Sequence, residues 1–121
     1  MTDSSVIDSA VLGDLLASVG GDTSFLEELI DTYLSDAPSL LAQLDAGLAA
    51  RNADEFRRAA HSLKSTSASL GARGLSATAK EMEMMGKAGT LDGAAEKLSQ
   101  AGAEFVLVRA ELQRVKSTTG G

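Results

Sequence analysis

Apolar residues recur at helical spacing in five successive stretches of the chain. In the first, Val11, Leu12, Leu15, Leu16 and Val19 predict a short helix over about 8–18, closed by Gly20 and Gly21. The second begins at Asp22 or Thr23, with Asp22 as its cap. It carries Phe25, Leu26, Leu29, Ile30, Tyr33, Leu34, Leu40, Leu41, Leu44 and Leu48. Pro38 interrupts that run, and the loss of one backbone bond predicts a kink or break near Asp36. The third stretch has both ends marked. Asn52 is a good N-cap, Glu55 can bond back to the cap backbone, and Gly71 suits the left-handed position past the last turn. At about 100° per residue, Phe56, Ala59, Leu63 and Leu70 share one face. After a turn at 72–74, a fourth helix over about 75–87 turns Leu75, Ala79, Met82 and Met85 or Gly86 inward, and Met84 away. Its Glu81 and Glu83 read as a solvated face. A turn from Gly86 leads to Asp92, which can cap a last helix reaching about Lys116 through Ala94, Leu98, Ala101, Phe105, Val108, Leu112 and Val115, with Lys97 and Glu104 exposed. Short loops between such helices predict an all-α fold: an antiparallel up-down four-helix bundle with a short additional N-terminal helix. The ordered core of this single domain, 1–121, spans about 8–116, with polar tails at both ends.

Composition narrows the core and the function. Aromatic residues are only 3% of a chain that is 44% apolar, so the core must be built from Leu, Ala, Val, Ile and Met. Phe25 and Tyr33 are read as core aromatics, and the methionines either as filler or as an adaptable partner surface. At 121 residues the chain has room for one core but not for a nucleotide-binding domain besides. A net charge of −6 argues against nucleic acid, which asks for a basic surface. There is no cysteine, no apolar run of membrane-spanning length, and no basic segment ahead of an apolar one at the start. The expectation is a cytoplasmic protein.

One residue stands out as candidate chemistry. His61 is the only histidine, and it lies opposite the apolar stripe of the third helix. Its neighbours one turn away are Arg57, Arg58, Lys64 and Ser65, with Ala68 two turns on. A second imidazole or a thiolate, the usual companions in a metal site, is missing, so no metal is expected. A catalytic triad would need an ordered third group, and no spacing suggests one. Taken alone, an exposed helical histidine is most simply a solvated side chain.

The residues around it change that reading. The run His61-Ser62-Leu63-Lys64-Ser65-Thr66-Ser67-Ala68-Ser69-Leu70-Gly71-Ala72-Arg73-Gly74-Leu75 resembles the signature of histidine phosphotransfer (HPt) domains: His-x-Leu-Lys-Gly, a Ser two residues on, then Leu-Gly-Ala and a Leu. Phe25 to Ile30, Tyr33-Leu34 and Asp36-Ala37-Pro38 resemble the second helix of that family, and the likeness covers about 8–115. Ser65 departs from it, standing where the family commonly has glycine beside the imidazole. The resemblance implies that His61 takes a phosphoryl group from, or passes it to, the aspartate of a receiver domain in a response regulator or hybrid histidine kinase. It implies no cofactor on this chain, with Mg²⁺ supplied by the receiver. It assigns phosphoryl stabilisation to Lys64 and access beside the ring to Ser65. Arg57, Arg58 and Ala68 are candidate binding residues around the ring. The result is a monomeric phosphocarrier, not an enzyme with its own nucleotide site.

Two other classes compete. A helical adaptor with an idle histidine fits the same helices, and separates from a carrier by taking no acid-labile label from a phosphorylated receiver. The dimerisation domain of a histidine kinase is disfavoured by Ser62 after the histidine and by the lack of any proline after Pro38.

Overall fold

The computed structural model describes the backbone of residues 6–119 and the side chains of 6–117. The described residues form five helices and no strand: α1 (Ser9–Ser18), α2 (Thr23–Ala49), α3 (Ala53–Ser69), α4 (Arg73–Ala88) and α5 (Ala94–Thr119). α3 packs against α2 on one side and α4 on the other, α5 packs against both α2 and α4, and α1 rests on α2. Residues 1–5 and 120–121, where polar tails are expected, lie outside the described residues.

Of the caps read from sequence, Asp22 and Asn52 are present, whereas Asp92 lies one residue too early, because α5 begins at Ala94 and Gly93, at φ +83°, takes the cap position. The Asn52 amide donates to the Gly47 carbonyl at 2.8 Å and not to Glu55. Asp8 accepts from the Ala10 amide at 3.0 Å, Asp22 from Phe25 at 3.3 Å and Asn52 from Glu55 at 3.1 Å. Gly71 closes α3 at φ +82°, and a Cβ there would sit 2.8 Å from the Asp8 carbonyl. The glycine thus permits both the left-handed turn and the docking of α1, whose Asp8 amide donates to the Gly71 carbonyl at 2.8 Å.

The core is mostly aliphatic, as expected, with Ile30, Leu44, Leu63, Leu75, Met82 and Leu112 fully enclosed, but the aromatic Phe56, Tyr33 and Phe105 are buried in it as well. Met82 is buried and Met85 packs half-buried against the core, both as filler, while Met84 is exposed. Several expectations need correction. α2 does not break at Pro38; the proline lies on the exposed side and the flanking turns continue through one missing backbone bond. Phe25 is not a core aromatic but 41% exposed in the first turn of α2, whereas Tyr33 is buried edge-on to Phe105. α4 starts at Arg73, so the turn after Gly71 is shorter than expected. α5 runs through Thr119, with Lys116 paired to Asp31 of α2. Lys97 is only part-exposed and pairs with Glu81 at 2.9 Å, while Glu104 is half-buried. Most consequential, Glu83 is buried.

Candidate functional site

α3 presents His61 because its apolar stripe is held from behind. Phe56, Ala59, Leu63 and Leu70 are all buried, as is Ala60, and the His61 side chain on the other face is 57% exposed. Gly86 sets how closely α4 approaches α3. A Cβ at that position would lie 2.7 Å from the Arg57 Cβ and 2.9 Å from the Ala53 carbonyl. The Ser76 hydroxyl then donates to the Lys64 carbonyl at 2.9 Å, tying the first half of α4 to α3. On the α2 side, the Tyr33 hydroxyl and Ser67 Oγ are 2.8 Å apart in a buried hydrogen bond. Burial pushes the Tyr33 phenol up to about 12, against the pull of that bond.

The close approach of α4 brings Glu83 to the histidine. Glu83 Oε2 lies 2.8 Å from His61 Nδ1, and Oε1 lies 2.7 Å from Lys64 Nζ. The glutamate side chain is only 10% exposed. The Lys64 bond holds its carboxyl below the usual glutamate range; burial opposes that shift, and the His61 bond adds to it. Ionised, the carboxylate only accepts hydrogen bonds, so Nδ1 is the ring nitrogen that donates its N–H. In the neutral ring the lone pair is then on Nε2.

The other predicted residues divide around this group. Lys64 is next to His61, joined to it through Glu83. Ser65 is exposed one turn past the ring, and its carbonyl accepts from Ser69 Oγ at 3.0 Å. Ala68 is exposed in the α3–α4 cleft together with Lys64. Arg57 and Arg58 do not join the histidine: Asp54 holds them at 2.7 and 3.3 Å. The Asp54 carboxyl is itself held below its usual range by the Arg57 hydrogen bond and the Arg58 charge. Among the described residues, no group of three His, Cys, Asp or Glu side chains could hold a metal ion, and no helix is long and apolar enough to cross a membrane.

Glu83 was missed by sequence reasoning for a geometric reason. It follows Ala79 by four residues and so falls about 40° from that stripe residue, on the border between core and water. An acid at the border of a helix that packs on His61 and Lys64 was the available signal.

Comparison with known proteins gives a consistent result. No curated protein matches the chain. Among solved structures it is similar to the crystal structure of histidine-containing phosphotransfer protein B (HptB) from Pseudomonas aeruginosa PAO1, at 30% sequence identity and a TM-score of 0.87, covering 93% of this chain and 96% of that one. The family model described as Hpt domain matches residues 28–118, and so takes in α3, α4 and every residue of the His61 group. The chain belongs to the Hpt domain family.

Proposed function

We propose that this protein carries a phosphoryl group on Nε2 of His61, to or from the aspartate of a receiver domain in a multistep phosphorelay. The observation that carries the reading is the exposed imidazole whose Nδ1–H is already committed to Glu83. Family membership and the likeness to a histidine-containing phosphotransfer protein support it.

The chemistry balances without a base on this chain. The Nε2 lone pair attacks the phosphorus of the receiver's aspartyl phosphate, the P–O bond to the aspartate breaks, and its electron pair stays on the leaving carboxylate. Nδ1 keeps its proton. The ring therefore gains positive charge as the N–P bond forms, and the Glu83 carboxylate lies against the nitrogen that shares it. Lys64 neutralises phosphoryl oxygens from the adjacent turn, Ser65 leaves the ring accessible, and Ala68 keeps the surface beyond it low. Arg57 and Arg58 act only at a distance, because Asp54 holds them. Mg²⁺ belongs to the receiver's acidic site. The protein works as a monomeric cytoplasmic phosphocarrier, its histidine fixed on an antiparallel up-down bundle so that little motion is lost on docking.

Incubation with a phosphorylated receiver domain tests the reading. Acid-labile label should pass to this chain and be absent from His61→Gln, whose fold should persist because the position is exposed. Label on His61→Gln, or none on the wild type, would reject it.

A further inference from the structure

The two flanks of α3 differ in charge, and the difference assigns an orientation to the partner. Between α3 and α4 lies an open cleft of about 400 Å³ lined by Lys64, Ala68, Arg73, Ser76, Ala77 and Lys80, with Val11 of α1 at its edge. Lys80 precedes Glu83 by one turn of α4, so the cleft starts at the histidine group and runs toward the N-terminus of α4. The acids beside it are already engaged: Glu83 by Lys64 and His61, and Asp8 by Arg73 at 2.9 Å. Lys80 is exposed and, among the described residues, has no hydrogen-bond or ion-pair partner. A local positive field thus stands beside His61 on a chain of net charge −6. Across α3, the cleft toward α2 is lined by Asp36, Ser39, Leu40, Gln43, Ser62 and Thr66 and has no cation.

We infer that the α3–α4 cleft receives a carboxylate-bearing segment of the receiver domain, with Lys80 as the residue that selects for it. The inference rests on the phosphocarrier reading. The receiver approaches with its acidic segment over α4 and not over α2, where Asp36 would repel it. Lys64 and Arg73 already have carboxylate partners, so Lys80 contributes the charge that has no partner within the protein. Charge placed at the edge of an interface acts mainly on the rate of encounter and on which partners are rejected.

The test compares two reversals of equal charge in the intact protein, Lys80→Glu and Arg109→Glu. Arg109 is exposed on α5, stacked 5.8 Å over the Phe105 ring, on a helix that packs against α2 and α4. Transfer from a phosphorylated receiver domain is measured at low and high salt, alongside labelling of His61 by phosphoramidate, a small donor that needs no docking. At low salt Lys80→Glu should lower kcat/KM about tenfold, and the gap should close as salt screens the cleft. Arg109→Glu should stay within about twofold of wild type. Phosphoramidate labelling should be the same in all three. Equal effects of the two reversals would overturn the inference, as would a parallel fall in phosphoramidate labelling, which would place the charge effect on the ring itself. If the wild type accepts label from neither donor, the carrier reading fails first, and that outcome is distinct from both.

Discussion

The α4 flank and the α2 flank of α3 use polar groups in opposite ways. Toward α4, a buried carboxylate reaches out to the surface and fixes the exposed His61 and the half-buried Lys64. Toward α2, the main polar contact is sealed inside: Tyr33 and Ser67 bond each other and present nothing to a partner. One flank therefore uses its polar groups to orient an exposed imidazole and the other to hold the scaffold. Position in the helix decides which. Ser67 lies six residues past His61, on the buried side of α3, while Lys64 lies one turn away on the open side.

The contrast breaks most visibly at Glu83. Glu83→Ala frees the imidazole to rotate and removes the acceptor for Nδ1–H, and receiver-dependent transfer should fall about 10- to 100-fold in single-turnover assays. Phosphoramidate labelling should fall less, because a small donor can follow a moving ring. Lys64→Ala should cost less, about tenfold in transfer, with the helical circular dichroism unchanged. Ser67→Ala addresses the other flank. It leaves the buried Tyr33 hydroxyl without its partner and should lower unfolding stability by about 1–3 kcal/mol in urea titrations, while transfer stays within about twofold. If Ser67→Ala slowed transfer as much as Glu83→Ala, the division between the flanks would not hold.

Much of this arrangement was legible in the sequence because it follows from local rules. Asn52, Asp22 and Gly71 announce helix ends through their own backbone chemistry, and they do so in the structure. The exposure of His61 follows from the phase of Phe56, Ala59 and Leu63, which depends on α3 alone. Glu83 was not legible in that way. Its burial depends on how near α4 comes to α3, set by Gly86 against Arg57, and no periodicity within α4 contains that distance. The pairing of Arg57 and Arg58 was hidden for a related reason. Sequence places them one turn from His61, but Asp54, a turn earlier, lies within reach of both. Phe25 has the apolar spacing of a core residue, yet it sits in the first turn of α2, where little is stacked against it.

The position of the phosphoryl group on the ring tests the account most directly. After transfer from a phosphorylated receiver, ¹⁵N–³¹P and ¹⁵N–¹H correlations of the His61 imidazole should show phosphorus bonded to Nε2 and a retained proton on Nδ1. Phosphorus on Nδ1, or a ring that carries none while the receiver loses its label, would contradict it.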